Sequence, residues 1–263
     1  MSYPLTFHDV KQNTPEWFQL RAGLITMSEL HKIMASAREF LVVQLSSSEF
    51  GVLNVANKKV YKKTYKTKED AEKFSDEQTS KYDSKEFGSQ AKQYAIELAN
   101  EQISGKPTKS HLNNPHLLRG HEEEPLARAR YERENFVDVI ADGFYCNDFI
   151  GWSPDGRLNN GINGAIEILS CISSVHYENV ERKSYFPPKK WQLIGAMKYA
   201  KLDWIDFVSY CDDYPEDFQL YTYRMKYDDY LLEYDMIETR VSEFRSFVEE
   251  KKESILNSEY FHQ

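Results

Sequence analysis

The sequence predicts an α/β fold, with a central mixed β-sheet flanked by helices and closed by a long C-terminal helix. Three observations predict it. Strand-like apolar runs cluster at residues 137–145, 149–153, 164–172, 204–211 and 218–225. A helical segment, KKWQLIGAMKYA (189–200), lies between two of those runs as a crossover. The chain closes on an amphipathic stretch from about residue 230 to 256, where Ile237, Val241, Phe244 and Val248 step by four, three and four. Helices, then strands, a crossover helix, more strands and a final helix make the pattern of a mixed-sheet α/β domain.

The elements follow in order. Residues 14–36 read as helical, with Thr14 as N-cap, Pro15 at the first helical position and Glu16 in the first turn. The helix pauses at Gly23, and Thr26 or Ser28 starts a second one, SELHKIMASA. LVVQL (41–45) fits a strand or a buried helical turn. Lys58 to Lys68, KKVYKKTYKTK, carries six lysines, two tyrosines and no acid, and the polar stretch 69–86 follows it. Residues 38–87 are therefore expected to be an insertion on a single domain spanning 1–263. Lysines there could track phosphates while tyrosines stack on frayed bases, or the segment could be a solvated surface. Residues 86–103 form an amphipathic helix with Phe87, Ala91, Tyr94, Ala95 and Leu98 on one face. Gly105-Lys106-Pro107 ends it. A further helix is expected over 115–135. The turn signal Asn159-Asn160-Gly161 makes 149–153 and 164–172 hairpin neighbours.

Composition excludes several classes. With 263 residues, 41% hydrophobic and 14% aromatic, the chain can bury a sizeable core and is not disordered. A formal charge of −9 provides no global basic field to attract nucleic acid, although it allows a local basic groove. Cys146, Cys171 and Cys211 are odd in number and widely spaced, as expected of reduced thiols in a cytoplasmic protein. No apolar run approaches the ~20 residues of a membrane span, and the N-terminus lacks a signal-peptide core. His111, His116 and His121 do not share a helix face and are read as non-ligands. Ser104-Gly105-Lys106 lacks the first glycine of a P-loop.

The chemistry concentrates in Gly151-Trp152-Ser153-Pro154-Asp155-Gly156 and in Ala165-Ile166-Glu167-Ile168-Leu169. The first reads as a turn presenting one carboxylate, the second as a strand presenting another. Two carboxylates at one sheet end suit a hard cation such as Mg²⁺, with Mn²⁺ as an alternative, and such sites serve phosphodiester chemistry. The backbone carbonyl of Ile168 could be a further ligand. A third carboxylate lies in the run Glu122-Glu123-Glu124 on the 115–135 helix. Near the N-terminus, Arg21, the bend at Gly23 and hydroxyls at a helix start are parts for gripping a phosphate. Taken singly, each segment also has an ordinary reading as a turn, a solvated acidic face or a capped helix.

Taken in order, the segments resemble the phage lambda exonuclease and YqaJ-type viral recombination nucleases of the PD-(D/E)XK superfamily. The matching pieces are W-x-x-x-R-x-G-x-I-T-x-S-E (Trp17 to Glu29), G-x-x-x-E-x-x-A (Gly120 to Ala127), S-P-D-G (Ser153 to Gly156), G-x-I-E-I (Gly164 to Ile168) and Gln192. The resemblance implies a restriction-endonuclease-like core. It implies that Asp155, Glu167 and the Ile168 carbonyl hold Mg²⁺, with Glu124 joining from its helix. It places Trp17, Arg21, Thr26 and Ser28 at the DNA 5′-phosphate or nearby backbone, and Gln192 in support of the site. It further implies 5′-to-3′ degradation of one strand from double-stranded DNA ends, a homo-oligomeric (trimeric) ring, a single-strand annealing protein as partner, and a setting in a bacterial or phage-infected cell with no membrane role.

One residue departs from the family pattern. The family wants a catalytic lysine two residues after Glu167, and this chain has Leu169. Loss of such a preorganised electrostatic group costs ~10²–10³ in rate. Three explanations stand at this point: an engineered knock-out, a lysine relocated to Lys183, Lys189 or Lys190, or a natural non-catalytic binder of DNA ends. An acidic interaction module with accidental motifs is the third function class, and it would bind neither metal nor DNA.

Overall fold

The structure, a computed structural model, describes residues 4–35, 37, 39–81, 87–108, 115–141, 143–159 and 161–258, with side chains in the 115–135 helix described from residue 122. The expectations for His111, His116, His121 and Gly120 fall outside what is described. The strands are β1 (Thr6–His8), β2 (Ile25–Thr26), β3 (Phe40–Ser46), β4 (Glu49–Asn54), β5 (Lys59–Val60), β6 (Val139–Ile140), β7 (Phe144–Cys146), β8 (Ile150–Trp152), β9 (Gly156–Leu158), β10 (Gly164–Ser170), β11 (Trp204–Tyr210) and β12 (Leu220–Lys226). The helices are α1 (Pro15–Arg21), α2 (Leu30–Met34), α3 (Lys68–Lys81), α4 (Ser89–Ser104), α5 (Pro115–Asn135), α6 (Ser173–Arg182), α7 (Lys190–Ala200) and α8 (Leu231–Leu256). This is the mixed α/β architecture that the sequence predicts. The chain divides into two compact units, residues 1–31 with 97–230 and residues 32–96 with 231–263.

The first unit carries two sheets, ordered β1-β7-β8-β2 and β12-β11-β10-β9-β6. In the second of these, β10 pairs parallel with β11 and antiparallel with β9, while β11 pairs antiparallel with β12. A parallel pair needs a long crossover, and α6 and α7 supply it. Ile166 and Ile168 pack into a cluster with Leu158, Val208 and Tyr210 from the sheet and Ala127 and Tyr131 from α5. Each such apolar side chain contributes about 1.5–3 kcal/mol on burial. Period-two alternation then sends Glu167 and Leu169 to the opposite face.

Strands β11 and β12 also hold an ion pair between a buried carboxylate and an exposed guanidinium. Asp206 stands opposite Arg224 in their register and receives hydrogen bonds from its Nε and Nη2, both at 2.8 Å. Tyr131 Oη donates to Asp206 Oδ2 at 2.7 Å, and the guanidinium lies 3.6 Å from the centre of the Trp204 ring.

Three sequence expectations change in this unit. The run 137–145 is not one strand, because β6 and β7 join different sheets around Gly143, whose φ is +104°. The expected hairpin of 149–153 with 164–172 does not form. β8 belongs to the first sheet, and β9 is the hairpin partner of β10. The physical reason is Pro154, which has no N–H to continue a ladder and stands where the chain passes from one sheet to the other. Helix α6 was not anticipated, since its buried positions include the polar His176 and Asn179 and so carry no apolar rhythm.

The second unit contains the antiparallel meander β3-β4-β5, helix α3 and the long α8. LVVQL resolves as strand. Helix α3 carries no apolar signal in the sequence, because it is polar and buries only Ala71 and Ser75. Tyr65 and Phe40 pack with Val52 and Ala71, and Tyr61 meets Phe74 edge-on. The tyrosines of the 58–68 segment therefore fill a small core and do not stand out as stacking platforms for bases, while Lys59, Lys62, Lys63 and Lys66 are exposed. Helix α8 buries Ile237, Val241, Phe244 and Val248 as their spacing predicts. The rings of Phe87 and Tyr94 pack on Phe244.

Candidate active site at the rim of β10

The two carboxylates meet because of strand register. β9 and β10 align Ala165 with Arg157 and Ile166 with Gly156, so Asp155 stands one step beyond, opposite Glu167. Asp155 Oδ2 accepts the Ile168 N–H at 2.7 Å. Gly156 makes this approach feasible, since a Cβ there would sit 2.2 Å from Val139 Cγ1 and 3.1 Å from Ile166 Cγ1.

Glu167 is buried, and its two oxygens differ. Oε1 accepts from Lys189 Nζ at 2.7 Å and from Gln192 Nε2. Oε2 is buried and has no hydrogen-bond partner among the described residues. Lys189 ends the 3₁₀ turn Pro187–Lys189, and Gln192 lies in the first turn of α7. A spacing of three puts both on one helix face. Glu124, on α5, pairs with Arg128 one turn later, and Arg128 Nε also donates to the Asp155 carbonyl at 3.0 Å. Arg128 thus ties the third carboxylate to the loop of the first. The Glu124/Arg128 spacing of four is the signal for this pair that the sequence carries.

The electrostatics express this crowding. Burial, then the charges of Glu167 and Glu124, push the Asp155 carboxyl well above the ordinary carboxylate range, against the pull of Lys189 and the Ile168 N–H. Burial opposes the Lys189 charge, but Glu167, Asp155 and Glu124 outweigh it and hold the ammonium form more firmly than in a free lysine. Among the described residues, no three His, Cys, Asp or Glu side chains converge closely enough to form a ready-made metal cage. Each carboxylate is engaged with its own donor. The set still fits a hard cation: a buried carboxylate oxygen without a donor belongs to the residue opposite a second, charge-coupled carboxyl, and oxygen ligands of this kind are what Mg²⁺ takes.

The N-terminal residues assemble beside this rim. Thr14 caps α1 by accepting the Trp17 N–H at 3.3 Å, and Gly23, at φ +78°, ends the turn that follows. Arg21 lies over the Trp17 ring at 4.1 Å and reaches Ser28 Oγ at 3.5 Å, while Thr26 Oγ1 lies 3.2 Å from the same hydroxyl. The second helix opens as a 3₁₀ turn, Met27–Glu29, before α2. β2 runs parallel to β8, aligning Thr26 with Gly151, and Trp17 Nε1 donates to Ser153 Oγ at 3.1 Å. Gln12 Nε2 donates to the Pro154 carbonyl at 3.0 Å, a link with no sequence signal. Trp17 is thereby bonded to the turn that presents Asp155, and the Arg21 guanidinium lies over its ring. Of the lysines considered as substitutes, Lys189 reaches a site carboxylate, Glu167. Lys183 is exposed at the C-cap of α6, and Lys190 lies over the Trp191 ring at 4.6 Å.

Cys146, Cys171 and Cys211 are not joined in disulfides, and among the described residues no helix is long and apolar enough to cross a membrane.

Comparison with known proteins adds a family. A family model of the YqaJ-like viral recombinase domain matches residues 16–201. The structure resembles an alkaline exonuclease from Laribacter hongkongensis, with a TM-score of 0.64 at 26% identity over 92% of this chain and 96% of that one. It resembles the same enzyme in complex with dAMP equally well, at 27% identity. A phage-related exonuclease from Haemophilus somnus 129PT shares the fold at TM-score 0.54 and 17% identity, over 90% of this chain and 99% of that one. No curated protein sequence matches the chain.

Proposed function

The chain belongs to the YqaJ-like viral recombinase family, and on that premise we propose that it is a Mg²⁺-dependent exonuclease that degrades one strand of duplex DNA from its 5′ end. The observation that carries the reading is the convergence of Asp155 and Glu167 through the β9–β10 register, with Glu167 Oε2 buried and without a donor. Asp155, Glu167 and the Ile168 carbonyl would hold the ion, with Glu124 completing the set from α5. A divalent ion bound there supplies positive charge to the attacked phosphate and acidifies the attacking water.

The protein's own residues set up the rest. Gln192 orients Glu167, and Arg128 fixes the Asp155 loop against α5. Arg21, Thr26 and Ser28 bind the 5′-terminal phosphate by guanidinium and hydroxyl contacts, with Trp17 supporting Arg21 from below. Homo-oligomerisation into a ring around DNA and cooperation with a single-strand annealing protein belong to the same proposal.

The test is degradation of a 5′-phosphorylated duplex labelled separately on each end, in Mg²⁺, in Mn²⁺ and in EDTA. Metal-dependent release of mononucleotides from the 5′ strand supports the reading. A second reading, a non-catalytic scaffold that binds DNA ends, is favoured by Leu169 alone. Tight end binding without strand loss in either metal would establish it and overturn the first.

A further inference from the structure

We propose that Lys189 performs the task of the lysine that Leu169 replaces, so that the catalytic cation of this chain comes from the turn before α7 and not from β10. The inference rests on the exonuclease reading. It uses three features of the structure.

First, the strand position is chemically silent. Leu169 shares the face of Glu167 and offers neither charge nor hydrogen bond. Second, a cation stands in the same neighbourhood from another direction. Lys189 Nζ lies 2.7 Å from Glu167 Oε1, and its side chain is 26% exposed, so the ammonium group is paired to the site carboxylate on a side chain that is not sealed in the core. Third, the attachment is specific. Lys189 and Gln192 both donate to Oε1, which leaves Oε2 as the oxygen for a cation. The same helix start therefore orients the carboxylate and delivers the ammonium. Lys183, by contrast, is exposed at the C-cap of α6.

The route differs from that of a strand lysine, but the end point can coincide. A lysine at 169 would rise from β10 beside Glu167. Lys189 comes over the same face on four rotatable side-chain bonds, long enough to move its ammonium group from Oε1 to a phosphate oxygen without moving the backbone. The bland alternative is that Lys189 only neutralises a buried carboxylate. Removing either partner of such a pair harms folding, so loss of activity by itself would not separate the two ideas.

In the reaction, a water oxygen forms a bond to phosphorus and the P–O3′ bond to the terminal nucleotide breaks. One water proton is lost to solvent, the leaving O3′ gains one, and no electrons are exchanged. The products are a mononucleotide with a 3′-hydroxyl and a strand with a new 5′-phosphate. Lys189 keeps its proton. Its charge holds the water in line and stabilises the negative charge that grows on the non-bridging oxygens, a term worth ~10²–10³ in rate.

The experiment compares the unaltered protein with Lys189→Met, Lys190→Ala, Leu169→Lys and the exchange variant Lys189→Met/Leu169→Lys. Strand degradation is measured in Mg²⁺, and DNA-end binding and thermal midpoint in Ca²⁺. The expected result is a loss of ~10²–10³ in kcat for Lys189→Met with end binding within about threefold, and recovery of at least about tenfold in the exchange variant. Lys190→Ala and Leu169→Lys alone should change the rate by less than about threefold. Full activity in Lys189→Met overturns the assignment. So does a rise of ~10² or more in Leu169→Lys alone, which would show the position to be vacant. If Lys189→Met does not fold, the exchange variant decides: a folded, active protein supports the proposal and a folded, inactive one overturns it. An unaltered protein that binds ends but never cuts them overturns the exonuclease reading itself, and this assignment with it.

Discussion

Asp155 stands opposite Glu167 across the β9–β10 pair, and its Oδ2 accepts the N–H of Ile168, the residue after Glu167. One carboxylate is thus fastened to the backbone that carries the other. The arrangement is costly in charge, because burial and two neighbouring carboxylates act on Asp155 together. It is the sort of local sacrifice of stability that functional sites make.

Asp155→Asn should therefore stabilise the metal-free protein while abolishing strand degradation. The sign follows from the raised pKa. The unfolded chain ionises Asp155 near its ordinary value of 3.8, while the folded protein resists ionisation, so stability falls as pH rises through that interval. At pH 7 the amide should raise the thermal midpoint by about 2–4 °C, the effect of roughly 1 kcal/mol in a chain of this size. Addition of Mg²⁺ should raise the midpoint of the unaltered protein and leave Asp155→Asn nearly unmoved. Calorimetry with and without the ion reads both.

Arg21 should determine preference for a 5′-phosphate. Hydrogen bonds to charged groups contribute about 1.5–3 kcal/mol, so Arg21→Ala should raise KM for 5′-phosphorylated duplex roughly 10- to 100-fold. It should leave degradation of a 5′-hydroxyl duplex almost unchanged. An equal loss on both substrates would place Arg21 elsewhere in the work of the site.

The Asp206–Arg224 pair makes a prediction about folding alone. Arg224→Met would leave the buried Asp206 with only the Tyr131 hydroxyl as donor, at a cost of about 1–3 kcal/mol because the lost guanidinium is itself half exposed. Asp206→Leu/Arg224→Met removes the stranded charge and should be more stable than the single variant. Urea denaturation of the three proteins tests the order.

His176 should make stability sensitive to mild acid. Its Nε2 donates to the Phe218 carbonyl at 3.0 Å, which leaves Nδ1 to accept from Ser209 Oγ at 2.9 Å. Burial pushes its pKa down, against the opposing influence of that carbonyl. The folded protein then resists a proton that the unfolded chain takes up near 6.5. Stability should hold above that pH and fall below it, and His176→Gln should flatten the fall in a pH series of thermal melts.

Much of the site was legible in the sequence because its signals are local. Thr14 and Pro15 announce the start of α1 by the chemistry of a cap. Ser153-Pro154-Asp155-Gly156 announces a turn. Gly164 to Ile168 announces a buried strand with one carboxylate among apolar neighbours, and the steps of α8 follow helical periodicity. Other elements carried no such signal. Helix α3 buries only Ala71 and Ser75, and α6 buries His176 and Asn179, so apolar rhythm could reveal neither. Tyr65 looked available for stacking on a base until its burial placed it in a small core.

By itself, then, the sequence determined which groups could do chemistry: two carboxylates, a glutamate-bearing helix, an arginine with two hydroxyls, and a leucine where a charge was expected. Those properties reside in residue type and short-range spacing. Only the tertiary structure decided which strand pairs with β10 and which lysine meets Glu167. Both depend on contacts between segments distant in the chain, where the direction of a backbone and the reach of a side chain are set by packing that no local pattern encodes.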